Sequence, residues 1–494
     1  MMLSDPTTSS RTVLALDIGT SVLKGAILNR YGSVVEAAQA PVKFLVCKTA
    51  GHHECDPAEW TQALLEVVGK IQAGLQHTAA VVVSGNGPTL VPVGSDGCPL
   101  HPAITWLDRR AQKEAQIVLQ VLGYALDASF FLPKVLWLQQ HKPQLYNATH
   151  YFLPCPEYMA HYLTGNAVTI LPANEYKAYI WETQAALKLG LDPAKFPRFV
   201  HVGATIGTLR KSIAVKLGLT TAVPVIAGAP DFLVALLGTA VTRPGKAMDR
   251  AGTSEGVNAC AKVPITDQRL LCLPHMVTGL YNIGGMISTS GKALEWLKNI
   301  VCDSETEYQN LFDMIDGVPA GARNLVFLPY LAGERSPIWD PCAKGTFLGL
   351  TLAHGRGEML RACLESVGYA IRDVIDVMLE NGCSVDELRV SGSQARSTLW
   401  NQIKADVTGR EVLVPEVIHA ELVGDACVGF TALGDFGDVR EASENMVRIR
   451  QSFRPRREFA NLYSDLFAAY RAAYRALKSV FRSLHEIAPP ASGR

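Results

Sequence analysis

The chain has 494 residues, of which 48% are hydrophobic and 19% are charged, a composition typical of a folded globular protein and not of a disordered one. Its 46 lysine and arginine residues balance its 46 aspartate and glutamate residues, so it lacks the basic surplus of proteins that bind nucleic acids or anionic membranes. A charged ligand therefore has to be held locally, by a loop or a helix end.

Cysteine usage and the start of the chain predict a cytoplasmic protein. The 11 cysteines are scattered, and none of them forms a Cys-x-x-Cys pair, which argues against a zinc ribbon. The odd count, together with a polar start at residues 1–11, predicts reduced thiols and no secretory signal. The longest apolar window, residues 222–241, contains two prolines and Asp231, which argue against a membrane-spanning helix.

Strands and turns alternate at the beginning of the chain. Apolar residues from position 12 and at 22–28 predict two strands joined by a Gly-Thr turn, because small turn residues interrupt the apolar run. Asp56 and Pro57 are typical of a helix start, and that helix is predicted to reach residue 72. Further strands are predicted over residues 33–38, 79–84, 90–93 and 103–106.

A second strand, turn and strand follow Gly245. The predicted elements are strands over residues 247–251, 257–261 and 388–390, and helices over residues 358–379, 397–408 and 439–485. The helices are predicted from apolar residues spaced three to four apart. Because both halves begin with the same pattern, we expect two domains, residues 11–243 and residues 244–494 with a helical tail.

Two small-residue turns are candidates for holding phosphate. After the first strand, Asp17 can hold a metal through water, glycine lets the backbone approach a phosphate, and hydroxyl groups can donate to its oxygens. Gly252, Thr253 and Ser254 repeat this pattern after a strand of the second half. Glu255 does not fit it, since an anion beside phosphates is unfavourable unless it points away or faces Mg²⁺. The alternative for both segments is an ordinary turn.

Asp231 stands where a strand ends and an apolar helix begins. It either caps that helix or accepts a proton from a substrate hydroxyl. Trp106 and Asp108 combine an aromatic plane with a carboxylate, which suits a polyol; the alternative is a buried tryptophan at an element junction. Asn86 can bond a sugar hydroxyl or serve its own turn. The small residues after Gly392 can let an adenine ring lie on the backbone, or simply lead into a helix.

Taken in order, these motifs resemble the FGGY family of carbohydrate kinases over residues 13–433. Residues 129–141 fit the family's first signature except at Phe131, and residues 345–365 fit the second except at Cys363. The resemblance implies an α/β fold of two ribonuclease-H-like domains of the actin and hexokinase type, placed around a central cleft. It also implies ATP and Mg²⁺ as cofactors, a sugar as substrate and, as a family-level expectation, a homodimer.

Within the family, the layout is most similar to xylulokinases, which implies phosphorylation of a ketopentose such as D-xylulose. The resemblance implies that Asp231 is the catalytic base and that Asp17 and Asp231 are the metal-associated acids. The residues implied to contact the nucleotide are Asp17, Gly19, Thr20, Ser21, Lys24, Gly252, Thr253, Ser254, Gly291, Gly392, Ser393 and Gln394. Those implied to contact the sugar are Asn86, Gly87, Trp106, Asp108, Asp231 and Phe232.

The chain departs from xylulokinases at the sugar end. Asn86, Gly87 and Pro88 stand where the family usually has Gln and xylulokinases continue with Met-His, and Phe232 replaces the usual Asn after the catalytic Asp. Both changes remove side chains that can touch sugar hydroxyls. The alternatives are therefore a kinase for another ketose, a polyol or an aldonate, or a sugar-binding relative without catalysis.

Overall fold

The computed structural model describes residues 11–47, 49–303 and 307–487. The strands are β1 (Thr12–Ile18), β2 (Val22–Asn29), β3 (Val34–Pro41), β4 (Glu54–Cys55), β5 (Thr78–Gly85), β6 (Leu90–Val93), β7 (Ala103–Ile104), β8 (Tyr151–Pro154), β9 (Thr169–Leu171), β10 (Phe199–His201), β11 (Thr205–Thr208), β12 (Pro224–Pro230), β13 (Gly245–Ala251), β14 (Glu255–Ala261), β15 (Leu271–Pro274), β16 (Tyr281–Ile287), β17 (Val326–Leu328), β18 (Thr346–Leu348), β19 (Val385–Ser391), β20 (Glu411–Pro415) and β21 (Ile449–Phe453). The helices are α1 (Pro57–Lys70), α2 (Gln112–Leu122), α3 (Phe131–His141), α4 (Pro143–Ala148), α5 (Cys155–Thr164), α6 (Thr183–Lys188), α7 (Lys211–Leu217), α8 (Asp231–Gly238), α9 (Gly291–Val301), α10 (Tyr308–Asp316), α11 (Arg356–Glu380), α12 (Thr398–Thr408), α13 (Ala420–Ala432), α14 (Val439–Met446) and α15 (Ala460–Glu486).

The chain folds into two compact units that are not continuous in sequence. The first unit contains the described residues up to 240 together with 274–278 and 419–448, and the second contains most of the remainder. The sequence-based division at residue 243 places residues 419–448 in the second half, but helix α13 of this segment packs on α8 of the first unit. A sequence pattern does not show such a long-range return of the chain.

A six-stranded sheet forms the centre of the first unit, in the order β11-β12-β5-β1-β2-β3. Strands β1, β5 and β12 run parallel, while β2, β3 and β11 are antiparallel to their neighbours. All seven residues of β1 are buried, as expected for a strand covered on both faces of the sheet. The carboxyl ends of the three parallel strands meet at one edge, which positions the residues that follow them.

The second unit repeats this topology in a seven-stranded sheet, in the order β15-β16-β14-β13-β19-β20-β21. Strands β13, β19 and β20 are parallel, and β14, β16 and β21 are antiparallel to their neighbours. From β16 to β21, the order and directions match those from β3 to β11 in the first unit. The repeated strand-turn-strand pattern of the sequence thus belongs to two sheets of the same construction.

Several sequence predictions can be compared directly with the elements. Asp56 caps α1, its side chain accepting from the Ala58 N–H, with Pro57 as the first helical residue. The helical tail predicted over residues 439–485 is interrupted by β21, because the backbone of residues 449–453 pairs with β20 at the edge of the sheet. The apolar window over residues 222–241 contains β12 and α8. None of the described helices is both long and apolar enough to cross a bilayer.

Two glycines allow α8 and α13 to touch through their backbones. A Cβ atom added to Gly424 would lie 1.9 Å from the carbonyl oxygen of Val234, and one added to Gly238 would lie 1.8 Å from that of Ala420. No larger side chain fits at these distances, which are far below van der Waals contact. The close approach brings Asp425 of α13 against Ser84 of β5.

Candidate active site

The polar residues of the first unit gather at the edge where β1, β5 and β12 end. Asp17 lies opposite Ser84 in the parallel pairing of β1 with β5, and Pro230, the last residue of β12, pairs with Gly85. Asp231 follows directly as the first residue of α8. Parallel strands therefore bring Asp17 and Asp231, more than two hundred positions apart, to the same edge.

Asp17 is 1% exposed and lies beside a lysine. The Nζ atom of Lys24, which faces Asp17 across the β1–β2 pair, lies 3.4 Å from Oδ2 of Asp17 and 3.8 Å from Oε2 of Glu421. Lys24 thus partly neutralises two carboxylates at this edge. Its predicted nucleotide contact remains a prediction.

Asp425 is a buried acid that the sequence motifs do not identify. Ser84 Oγ donates to its Oδ2 at 2.6 Å, whereas its Oδ1 is buried and has no hydrogen-bond partner among the described residues. Burial raises the pKa of Asp425 well above its usual range, and the charges of Asp17, Glu421 and Asp231 add to that rise. The surroundings of Asp425 therefore favour its protonated form. An aspartate within the mostly apolar α13, which also carries Glu421, is the sequence signal that could have indicated it.

Asp231 is half-buried, and its Oδ1 accepts from the N–H of Phe232 at 2.7 Å. This bond holds the carboxylate at the first residue of α8; the residue in the cap position is Pro230 and not, as the cap alternative expected, Asp231. Burial raises the pKa of both Asp425 and Tyr176, and the negative charge of Asp231 adds to that rise. The arrangement can take up a proton from a group placed at this edge. Phe232 is half-buried beside it.

Asn86 and Trp106 are tied to the Gly-Thr turn that follows β1. The amide nitrogen of Asn86 donates to the carbonyls of Ile18 and Gly19, at 2.9 and 3.3 Å, and its oxygen accepts from Thr89. The indole N–H of Trp106 donates to Oγ1 of Thr20 at 2.9 Å. The amide nitrogen of Asn86 thus holds the turn after β1 and not, as the alternative interpretation expected, its own turn, and its sugar contact remains a prediction.

Asp108 is fully buried, and both of its oxygens accept hydrogen bonds from the protein. Arg110 donates to both oxygens at 2.7 and 2.9 Å, and the N–H of His53 donates at 2.7 Å. Burial opposes ionisation, but the bonds from Arg110 and His53 outweigh it and lower the pKa of Asp108. Arg110 also binds Glu54 and lies over the ring of Trp137. The structure gives Asp108 a role in holding this loop, and its predicted contact with sugar is untested.

Lys134 holds the loops on both sides of this region. It is completely buried, and its Nζ donates to the carbonyls of Pro88, Thr105 and Ile104 at 2.7, 2.9 and 3.3 Å. These carbonyls belong to the segments that carry Gly87 and Trp106. A Cβ atom on Gly87 would meet nothing within 4 Å, so this residue faces open space. A lysine within the apolar α3 is the sequence signal for this contact.

In the second unit, the turn between β13 and β14 packs on the start of α9. The N–H of Gly291 donates to the carbonyl of Gly252 at 3.0 Å, and the N–H of Ser290 donates to that of Thr253 at 3.1 Å. A Cβ atom on Gly291 would lie 2.6 Å from the Gly252 oxygen, so only glycine fits there. The N–H of Gly291, which was predicted to contact phosphate, is engaged by this turn. Thr253 is exposed, and Ser254 is half-buried.

The segment after β19 joins the same turn. Gly392 has φ of 86°, and a Cβ atom there would lie 2.2 Å from the carbonyl oxygen of Ala251, so both its conformation and its surroundings require glycine. Gln394 donates from Nε2 to the Gly252 carbonyl at 2.9 Å and to Ser290 Oγ at 2.8 Å. The structure thus brings together the three segments of the second unit that were predicted to contact the nucleotide; the fourth predicted segment, residues 17–24, belongs to the first unit.

Comparison with known proteins agrees with this arrangement. The chain matches the FGGY family of carbohydrate kinases, with its N-terminal domain over residues 12–238 and its C-terminal domain over residues 247–433. A xylulose kinase of Staphylococcus epidermidis is 28% identical over 96% of this chain and 98% of its own length. A gluconokinase of Bacillus licheniformis is 26% identical over 96% of this chain and 97% of its own length.

A solved structure supports the same conclusion. The xylulose kinase from Rhodospirillum rubrum superposes with a TM-score of 0.83 and 28% sequence identity, covering 96% of this chain and 100% of the other. Family membership accounts for the two matched domains and for the sheet topology that both units share. The chain belongs to the FGGY family of carbohydrate kinases and has the α/β fold of the actin and hexokinase type.

Proposed function

We propose that this carbohydrate kinase transfers the γ-phosphoryl group of ATP to a hydroxyl of a ketopentose, with D-xylulose as the leading substrate. Phosphoryl transfer is supported by the position of Asp17 and Asp231 at the same edge of the first sheet. The observation that favours D-xylulose is the full-length similarity to xylulose kinases.

The proton acceptor is Asp231. Its carboxylate takes the proton of the sugar hydroxyl as that oxygen bonds to the γ-phosphorus, while the bond from phosphorus to the bridging oxygen of ADP breaks. The N–H of Phe232 holds one oxygen of the carboxylate, so the side chain is already oriented before the sugar binds. Such preorganisation, together with positioning of the reactants, supplies most of the rate in phosphoryl transfer.

The residues at the strand ends fit Mg²⁺. Among the described residues, no group of three or more His, Cys, Asp and Glu side chains could form a metal cage. Magnesium in kinases does not need one, since it takes one or two carboxylates, waters and phosphate oxygens. Asp17 and Asp231 would hold the ion, and the buried, unpartnered Oδ1 of Asp425 is consistent with a further polar group at this edge. When bound, the ion neutralises charge on the phosphates.

The nucleotide is assigned to the second unit. The exposed Thr253 offers its hydroxyl to phosphate oxygens, and the small residues around Gly392 leave room for the adenosine. Because the turn at Gly252 is held by Gly291 and Gln394, the site is rigid before ATP binds.

Two departures from xylulokinases, at Gly87 and Phe232, allow sugars other than D-xylulose. The gluconokinase relative favours an aldonate as the second candidate, and a different ketose or a polyol would also fit the departures at Gly87 and Phe232. A relative that binds sugar without catalysis is disfavoured, because both acids are in place. We also place the protein in the cytoplasm, where ATP and reduced cysteines are found, and a homodimer remains a family-level prediction.

The test is an ADP-release assay with Mg²⁺ and ATP across ketopentoses, other ketoses, polyols and aldonates. We expect saturable activity that is highest on D-xylulose. Asp231→Asn should lower kcat by about 100- to 10,000-fold, the usual contribution of a general base, with an unchanged circular dichroism spectrum. Asp465→Asn removes an exposed carboxylate and serves as the matched control. Near wild-type turnover in Asp231→Asn would refute the assignment of Asp231 as the base. Activity confined to gluconate would make gluconate, and not D-xylulose, the proposed substrate.

A further inference from the structure

Three charged side chains are buried together in the interior of the second unit. Asp249 of β13, Glu255 of β14 and Lys404 of α12 are each at most 1% exposed. The Nζ atom of Lys404 donates to Oδ2 of Asp249 at 2.6 Å and to Oε1 of Glu255. It also donates to Oε1 of Gln394 at 3.3 Å. One ammonium group therefore satisfies three acceptors that come from three different elements.

This network reaches the three segments of the second unit that are assigned to the nucleotide. The second carboxylate oxygen of Glu255 accepts from the hydroxyl of Ser290, which precedes α9. The amide nitrogen of Gln394 donates to the same hydroxyl and to the carbonyl of Gly252. Lys404 is thus connected, through one intervening side chain, to the turn after β13, to the start of α9 and to the segment after β19.

The structure shows that the carboxylate of Glu255 points into the interior of the second unit. Both of its oxygens are engaged inside the unit, by Lys404 and by Ser290, so the carboxylate is not presented to phosphates or to a metal ion. Lys404 is likewise completely buried and cannot itself touch ATP. Their effect on the nucleotide has to pass through the residues that they hold.

The charges explain why such a network defines one geometry. Burial opposes the charge on Lys404, but Asp249 and Glu255 outweigh it and raise the pKa of Lys404. Burial, followed by the neighbouring Glu255, raises the pKa of Asp249 well above its usual range, so the two acids depend on the single ammonium group that lies between them. A buried ion pair rarely stabilises a protein more than apolar side chains would, but it tolerates few alternative arrangements.

We propose that Lys404 is a positioning residue for the nucleotide: through Glu255 and Gln394 it fixes the Gly252–Ser254 turn and the start of α9, and so sets the affinity for ATP without contacting it. This inference rests on the proposed nucleotide role of the second unit. Lys404→Met keeps most of the side-chain volume but removes the donor. We expect it to weaken nucleotide binding about tenfold or more, as small displacements of a binding group do, while the KM for the sugar stays within about twofold.

A second variant separates positioning from stability. In the triple variant Lys404→Met, Asp249→Asn, Glu255→Gln, no buried charge is left uncompensated, so it should recover much of the Tm that Lys404→Met loses. Because its amides and thioether cannot reproduce the bonds made by the ammonium group, it should still bind the nucleotide weakly. Lys478→Met, at an exposed position of α15, is the control for loss of a lysine.

The measurement is calorimetry with the non-hydrolysable analogue β,γ-imido-ATP and Mg²⁺, alongside the KM values for ATP and sugar and the Tm of each variant. A wild-type protein that binds no analogue would overturn both the nucleotide assignment and this inference. If the wild-type protein binds the analogue and Lys404→Met binds it with the same affinity within about twofold, the inference about Lys404 is overturned, while the nucleotide assignment stands. Recovery of both Tm and affinity in the triple variant would also overturn it, because charge balance and not geometry would then be the whole role of Lys404.

Discussion

Removal of the Lys134 ammonium group should loosen two loops of the first unit at once. Its Nζ donates to the carbonyls of Pro88, Thr105 and Ile104, which lie on both sides of the residues expected to contact sugar. Lys134→Met preserves the apolar stem inside α3 but removes the ammonium donor from all three carbonyls, of which that of Thr105 keeps the N–H of Asp108 as a donor at 3.1 Å. The change therefore tests whether one buried cation holds this part of the site.

The size of the effect follows from the burial of the groups. A buried polar group left without its partner costs about 1–3 kcal/mol, so the carbonyls of Pro88 and Ile104 together would cost up to roughly 2–6 kcal/mol if water could not reach them. Part of this is recovered, because the burial that lowers the pKa of Lys134 shows that its charge is itself unfavourable there. We expect a net loss of about 3 kcal/mol in the free energy of unfolding of the first unit, comparable to breaking a buried ion pair.

The assay combines urea unfolding, followed by circular dichroism, with steady-state kinetics on the preferred sugar. We expect an earlier unfolding transition and a KM for the sugar raised by about tenfold, since displaced loops misplace their contacts. Lys113→Met, at an exposed position of α2, should change neither quantity. If Lys134→Met unfolds at the wild-type urea concentration with an unchanged KM, the three carbonyl bonds do not hold these loops and the reasoning fails.

Two further predictions concern packing and pH. Gly424→Ala would place a Cβ atom 1.9 Å from the Val234 carbonyl oxygen and should lower the Tm sharply or prevent folding, whereas Gly69→Ala, where a Cβ meets nothing within 4 Å, should be neutral or stabilising; equal Tm values would contradict the contact. Burial raises the pKa of Glu157 to about 7 from 4.5, so the native state binds this proton more tightly than the unfolded state. Its stabilisation is complete below the unfolded value and is lost as pH rises towards 7. Glu157→Gln should therefore show a smaller fall in urea midpoint between about pH 5 and about pH 8 than the wild type, and parallel curves would contradict this.

Local signals in the sequence predicted many elements correctly. Strand β6 has the predicted bounds, and α12 begins one residue after the predicted start, because Ser397 is its cap. Strand β21 was missed because its polar residues, such as Arg450 and Gln451, pair only at the edge of a sheet, where no apolar pattern is required. The placement of residues 419–448 in the first unit depends on the contact between Gly424 and Val234, which no local pattern contains.

In the candidate site, too, some residues could be predicted from local sequence and others could not. Asp17, Asp231 and the glycine turns could be identified because their residue types and order are specific. In the sequence, Asp425 and Lys404 are charged residues within predicted helical or apolar segments, and their roles depend on partners that are distant along the chain. The same limit applies to Asn86, because its bonds to the carbonyls of Ile18 and Gly19 join segments that are distant along the chain.

The return of α13 to the first unit has a consequence for synthesis. The apolar residues of α8 leave the ribosome early, but the helix that covers them follows only after the chain has passed Ile418. Until then the nascent first unit exposes a surface that aggregates or recruits chaperones. The last strand and helix of the second unit come later still, so neither unit is complete in a chain that stops near residue 243. A gene fragment cut at that apparent boundary would therefore encode an unfinished domain.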